Sequence, residues 1–196
     1  VLKEIGTEGQ KRLKNARVCV AGVGGLGCIS ALQLAAMGVG YIRLVDQDVV
    51  DLTNLHRQPI YDVSSIGYPK VEVAEKKLKS LNPNVETDPL TSTVNSNTAE
   101  SVVEGVDIVV DGLDQFGPRY AINRACLKLK VPYVFGGAIE TYGTVNTIIP
   151  EETACLECVI GNMSDDYLPT CEIVGVLPQV LGIVASVQVR EAISLI

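Results

Sequence analysis

The sequence predicts an α/β fold, doubly wound around a mostly parallel sheet, with antiparallel strands toward the C-terminal half. Three observations carry this. Short apolar runs of strand length alternate with helix-length segments along most of the chain. The first run, Val18 to Ala21, breaks into Gly22-x-Gly24-Gly25-x-Gly27 and then into an Ala-rich stretch with helical spacing. A second run, Tyr41 to Val45, closes on an acid, Asp46.

Composition bounds the class of protein. The 196 residues suit one α/β domain able to bury a core. With 47% hydrophobic and 20% charged residues, intrinsic disorder is excluded. A formal net charge of −7 argues against nucleic-acid or anionic-membrane partners. Neither an apolar run of membrane-spanning length nor a charged-then-apolar leader is seen, so the expected location is cytoplasmic. Cys19 falls in a core strand and Cys28 and Cys126 in helices, which reads as buried thiols of a reducing compartment. The single histidine, His56, excludes a two-histidine metal site within one chain.

The elements follow in order. Residues 1–16 are polar around Leu2, Ile5 and Leu13 and predict a short helix feeding the first strand. The glycine turn and the helix after it (Leu26, Ile29, Ala31, Leu32, Leu34, Ala35, Met37) lead to the strand at Tyr41. A long connection, 47–69, holds Asp48, Asp51, Asn54, His56, Arg57 and Gln58, and such connections within compact domains are usually functional. Val71, Ala74, Leu78 and Leu81 predict a helix over 70–81, stopped by Asn82-Pro83-Asn84. A strand over 85–90 and a short helix over 98–104 come next. Then come a strand over 107–111, a helix over 120–129, a strand over 131–135 ending at Gly136-Gly137, and an antiparallel strand over 143–149. Residues 151–176 have few periodic apolar positions and read as a mobile, cysteine-containing insertion. The segment 177–196 is apolar on several faces and predicts a largely buried helix. The whole chain, 1–196, reads as a single domain.

Chemistry gathers where strands end. In the glycine turn a side chain would keep the backbone from closing round a phosphate, and the helix start offers free N–H groups and partial positive charge to that anion. Asp46, at the end of the second strand, is placed to accept from ribose hydroxyls. Arg57 follows Asp46 by eleven residues and Lys70 stands thirteen further on. Two such cations suit a triphosphate better than a hydride cofactor; the bland alternative is a solvated charged loop. The later strand ends in Asp111-Gly112-Leu113-Asp114, with Arg119 beyond. Asp114 suits Mg²⁺, or it caps the helix that starts near Phe116. Cys155-x-x-Cys158 has the spacing of half a zinc site, or is a pair of buried thiols. Cys171 is a candidate loop nucleophile, or an inert thiol.

Taken together, these residues resemble the ThiF/MoeB family. Its members adenylate the C-terminal glycine of small sulfur-carrier proteins, and ubiquitin-activating enzymes share the adenylation domain. The resemblance rests on Glu8-Gly9-Gln10, Gly22-x-Gly24-Gly25-Leu26-Gly27, Asp46-x-Asp48, Asn54-Leu55-His56-Arg57-Gln58 and Gly67-x-x-Lys70. It continues through Asn82-Pro83, Asp114-x-x-x-x-Arg119, Cys155-x-x-Cys158, Thr170-Cys171 and Gly175-Val176. It implies a Rossmann-like adenylation domain that uses ATP and Mg²⁺. The cofactor-binding set would be Gly22, Gly24, Gly25, Gly27, Asp46, Asp48, Asn54, Arg57, Gln58, Lys70, Leu113 and Asp114. Within it Asp46 would take the ribose, Asn54, Arg57 and Lys70 the phosphates, and Asp114 the Mg²⁺. Arg57, Lys70, Asp114 and Cys171 would carry catalysis, Cys171 matching the loop cysteine that forms a sulfur or thioester link in some members. Cys155 and Cys158 would be half of a structural zinc site. The family's second cysteine pair follows the stretch that matches residues 1–196, so zinc is expected only in a longer chain. Likewise a family arginine that reaches into the partner subunit's site precedes that stretch. The family usually has Asn where Gln115 stands.

The implied partner is a small ubiquitin-like or sulfur-carrier protein ending in Gly-Gly, with the chain itself in a homodimer or a heterodimer with a related chain. The rival readings are a nicotinamide-dependent oxidoreductase, a non-catalytic partner subunit of an activating enzyme, and a tRNA-modifying relative. The first of these leaves Arg57 and Lys70 without a task, and the last fits poorly with the acidic composition.

Overall fold

The computed structural model describes residues 3, 5–161, 163–165 and 174–196. Helix α1 (Gly6–Asn15) runs into β1 (Arg17–Ala21), followed by α2 (Gly25–Met37) and β2 (Tyr41–Val45). After the long connection come α3 (Lys70–Leu81), β3 (Glu86–Leu90), α4 (Ala99–Val103), β4 (Ile108–Asp111) and α5 (Phe116–Leu129). The hairpin β5 (Tyr133–Ile139) and β6 (Tyr142–Ile148), the short α6 (Leu156–Ile160) and α7 (Pro178–Leu195) complete the described chain. The six strands lie in the order β3-β2-β1-β4-β5-β6. Strands β1 to β5 are parallel, and β6 pairs antiparallel with β5.

The sequence periodicity explains the layers. Strands β1 and β4 sit at the centre of the sheet and are covered on both faces, which is why nearly all their residues are buried and apolar. Alternate residues feed two cores. Val18, Val20, Ile42, Leu44, Val110 and Val134 face α2, α3 and α7, where Leu34, Leu78 and Val189 meet them. Cys19, Ala21, Val45, Val109 and Tyr133 face α4, α5 and α6 through Val102, Ile122 and Leu156. The buried thiols Cys19 and Cys28 are pushed up to about 12 by burial, and burial also raises Cys126, so all three are inert apolar filler.

Several expectations are corrected. Helix α5 starts at Phe116, so the start expected near Phe116 holds and the shorter span from Tyr120 does not; Asp165 reaches back to its first turn. Strand β5 does not stop at Gly136-Gly137. It runs through them to Ile139, since β6 supplies partners in Val145 and Thr144. Within the stretch 151–176, Leu156–Ile160 forms α6, and Leu156 is fully buried. The last helix is not largely buried. Leu181, Val184, Ala185, Gln188, Val189 and Ala192 face inward, while Ile183 is 66% and Val187 42% exposed.

Candidate active site at the carboxyl ends of the strands

Parallel strands end together, and loops that leave them on opposite faces part to form a crevice, here between β1 and β4 where the connections reverse direction. The glycine turn after β1 floors it. Gly22 has φ +89°, and a Cβ there would lie 2.6 Å from the carbonyl of Gly112. A Cβ on Gly27 would lie 1.8 Å from the Gly22 carbonyl oxygen. Only hydrogen fits at either position, so the turn after β1, the start of α2 and the turn after β4 close into one packed unit. Gly24 stands just before α2 and Gly25 opens it. The helix thereby presents its unpaired N–H groups at the crevice.

The acid at the end of β2 is bound to this turn. Asp46 accepts from Val23 N at 2.8 Å and from Asp48 N at 2.9 Å. Burial pushes its carboxyl above the ordinary aspartate range, against the pull of Lys70 and of those two N–H groups. Asp48 in turn accepts from Lys70 Nζ at 2.8 Å, and Lys70 N donates to the Asp48 carbonyl at 3.0 Å. The lysine side chain is 6% exposed while its partner carboxylate is 55% exposed. The stem is therefore packed and the ammonium sits at the mouth, aimed where Asp48 meets solvent.

The connection 47–69 folds over the same end. Asp51 accepts from Thr53 N and opens a short 3₁₀ turn, Leu52–Asn54. The Asn54 carbonyl then accepts from the N–H groups of Arg57 and Gln58, both at 3.1 Å. Arg57 Nη1 donates to the Thr53 carbonyl at 2.9 Å and has no carboxylate partner among the described residues. Gln58 is 3% exposed, reaches the neighbourhood of Gly24, and its Oε1 is a buried acceptor without a donor. Tyr61 Oη donates to the Val23 carbonyl at 2.8 Å, pinning the glycine turn from the loop side. Tyr61 carries no sequence signal beyond its place in a polar loop.

The third wall follows β4. Asp111 and Arg119 form a buried ion pair, Nε to Oδ2 at 3.0 Å. Burial pushes the Asp111 carboxyl up and the guanidinium pulls it back. Arg119 also donates to the carbonyls of Leu113 and Gly136. Arg119 is thus committed to structure. Asp114 is exposed and lies close enough to Arg119 to feel its charge. It does not cap α5. Asp165 does, accepting from Phe116 N at 2.7 Å and Gly117 N at 3.0 Å. That leaves the Asp114 carboxylate at the crevice without a capping task. An exposed carboxylate beside a glycine turn suits a hard, oxygen-seeking cation that takes its other ligands from a bound anion and water. No cluster of three metal-ligating side chains occurs among the described residues.

The structure therefore brings Gly22, Gly24, Gly25, Gly27, Asp46, Asp48, Asn54, Arg57, Gln58, Lys70, Leu113 and Asp114 to one end of the sheet. Cys155 and Cys158 are elsewhere. The sulfurs of Cys155 and Cys158 lie 3.5 Å apart beside α5, where Leu156 N donates to Asn123 Oδ1. They are not two buried thiols, since Cys155 is half-buried and Cys158 exposed. Burial pushes the Cys155 thiol up, but hydrogen bonds involving Cys158, Asn123 and Glu157 outweigh it and hold it below the ordinary thiol range. Cys171 lies outside the described residues.

Comparison with known proteins bears on the family and the fold. The ThiF family model matches residues 1–196. The chain is 39% identical over 197 residues to the adenylyltransferase and sulfurtransferase MOCS3 of Culex quinquefasciatus, covering 100% of this chain and 45% of that protein. It is 37% identical to the SAMP-activating enzyme E1 of Haloferax volcanii, covering 100% of this chain and 73% of the relative. It is 36% identical to the molybdopterin-synthase adenylyltransferase of Salmonella typhimurium, covering 100% and 79%. Among solved structures, the microcin C7 biosynthetic enzyme MccB in complex with N-formylated MccA superimposes with a TM-score of 0.86 at 25% identity, covering 95% of this chain and 58% of that one. The chain spans less than half the length of the MOCS3 relative and more than two thirds of the other two curated relatives. With one family model accounting for every residue of the sequence, the chain belongs to the ThiF family.

Proposed function

We propose that this domain activates the C-terminal carboxylate of a small ubiquitin-like or sulfur-carrier protein by adenylation. A carboxylate oxygen attacks the α-phosphorus of ATP. The bond from that phosphorus to the bridging oxygen breaks, and pyrophosphate leaves with the electron pair. The product is an acyl-adenylate open to a thiol. The observation that carries this reading is the glycine turn bound to the Asp46 carboxylate, with the Lys70 ammonium held on Asp48 beside it and Arg57 on the connection that leaves the same strand. A nicotinamide-dependent oxidoreductase uses the first two and has no task for the cations.

Each residue has a role in this proposal. The turn Gly22 to Gly27 admits the phosphates to backbone N–H groups. Asp46 accepts from the ribose hydroxyls with the lone pairs that Val23 and Asp48 leave. Lys70, steered by Asp48, and Arg57 neutralise charge on the phosphate oxygens as pyrophosphate departs, so catalysis is alignment plus electrostatics. Asp114 would hold Mg²⁺, which supplies charge neutralisation between phosphate oxygens. The relatives named as adenylyltransferases support use of ATP. The names SAMP-activating enzyme and sulfur carrier protein ThiS adenylyltransferase support a protein carrier as substrate. A cytoplasmic location belongs to the same proposal, supported by the buried free thiols Cys19, Cys28 and Cys126. No helix among the described residues is long and apolar enough to cross a membrane.

Calorimetric titration with magnesium ATP and with NAD tests the reading. Tighter binding of magnesium ATP is expected. Preference for NAD would overturn it.

A further inference from the structure

Where β4 and β5 part, the ladder between them is completed by side chains. The pairing of these strands ends at Val110 with Val134. Beyond it, the N–H of Gly136 turns to the Asp111 carboxylate at 3.4 Å, and the Asp111 carbonyl accepts from the side chain of Gln188 at 2.8 Å. The same Nε2 donates to the Val134 carbonyl at 3.0 Å. Gln188 is fully buried, lies on the inward face of α7, and is the polar member of an otherwise apolar row. It fills the space over Gly136 so fully that a Cβ there would lie 2.4 Å from its amide carbon. From the opposite face of the sheet, Arg119 enters the same fork and holds the Asp111 carboxylate and the carbonyls of Leu113 and Gly136.

We propose that Gln188 is a positioning residue for the Asp114 loop, one jaw of a clamp whose other jaw is Arg119. The inference rests on the adenylation reading, in which Asp114 holds the cation. The chain from β4 to α5 is fastened at successive points. Gln188 holds the Asp111 carbonyl, and the Ala21 carbonyl holds Gly112 N at 2.7 Å. Asp111 holds Leu113 N at 3.0 Å, Arg119 holds the Leu113 carbonyl, and Asp165 holds Phe116 N. Asp114 stands between these fixings. A carboxylate that meets a cation through one exposed side chain takes its direction from the backbone that carries it. Losing the Gln188 amide leaves two buried carbonyls without their donor, and the peptide between Asp111 and Gly112 is then held from its N–H side alone. Slack there passes through two residues to Asp114.

Gln188→Met keeps the volume and removes both donated hydrogen bonds. Gln188→Glu keeps the shape, and burial in an apolar row beside Asp111 holds the acid protonated, so it still donates one. The measurement is the Mg²⁺ concentration that half-saturates binding of an ATP analogue with a methylene bridge between the α- and β-phosphates, read by calorimetry below the melting temperature of each protein. Half-saturation is expected to rise about tenfold in Gln188→Met and about threefold in Gln188→Glu. Affinity for the analogue without Mg²⁺ should stay near wild type. If Gln188→Met does not fold by circular dichroism, Gln188→Glu carries the test. A folded variant with lowered stability and unchanged Mg²⁺ half-saturation overturns the proposal and leaves Gln188 a purely structural residue. A wild-type protein that binds no magnesium nucleotide overturns the clamp together with the adenylation reading.

Discussion

Asp46 carries two demands that oppose each other on its proton. Its surroundings bury it and push the carboxyl above the ordinary aspartate range, while the proposed ribose contact needs it ionised. Nucleotide binding therefore favours the deprotonated form. As pH falls through the raised value of the free protein, affinity should decline, beginning at a higher pH than a solvated aspartate would give. Titrations between about pH 4.5 and 7.5 check this, and Asp46→Asn should flatten the profile. Lys70 and Asp114 answer a different question. Removing either takes away charge needed as pyrophosphate leaves, so Lys70→Ala or Asp114→Ala should lower carrier-dependent pyrophosphate exchange by about 10²–10³. Cys171→Ala touches no phosphate role and should leave exchange near wild type, lowering only a later thiol transfer where one occurs. Abolished exchange in Cys171→Ala with intact exchange in Asp114→Ala would reverse that division of roles. At this scale the sequence shows which residue types stand at the ends of elements: the glycines after β1, Asp46 after β2, Asp114 after β4 and Lys70 at the start of α3. It was silent on Gln188, because one glutamine in an apolar helix looks the same whether it faces water or a sheet fork. It was silent on the buried pairing of Arg119 with Asp111, since eight residues of separation do not reveal which side chains turn inward.

At the scale of elements, what was read locally is what local spacing determines. Helix α3 matches its expected bounds because its apolar face is regular and Asn82-Pro83 stops it. The span of α5 from Tyr120 leaves out its first turn, because the carboxylate that bonds that turn, Asp165, lies far along the chain in a segment without periodicity. Asp165→Ala should cost about 1 kcal/mol of stability and fray the first turn of α5, read as a lower melting temperature with faster hydrogen exchange at Phe116 and Gly117. Strand β5 outran its glycines because cross-strand pairing with β6 outweighs their weak β-propensity. Breaking the ion pair between α5 and β4 is a harsher test of the same layer. Arg119→Leu strands a buried carboxylate and should cost about 3–5 kcal/mol, measured by denaturant unfolding.

For the whole molecule, the exposed side of α7 is the feature that a lone domain explains least. Ile183 and Val187 stay in water although the helix is apolar on several faces. That exposure fits assembly with a second copy or a related chain, and light scattering at micromolar concentration should show a species larger than the monomer. Ile183→Arg should shift it toward monomer. Cys155 and Cys158 supply two thiolates where a tetrahedral zinc site needs four ligands. Metal analysis of the 196-residue form should accordingly find little zinc. Stoichiometric zinc would place further ligands on a partner chain or outside the described residues. The central claim is adenylation of a carrier's C-terminal carboxylate, and isotope exchange between pyrophosphate and ATP reads it most directly. Exchange is expected only when a carrier ending in Gly-Gly is present together with Mg²⁺, and it should be lost when the terminal glycine is removed. A folded protein that binds ATP and such a carrier, yet exchanges no pyrophosphate, would contradict it.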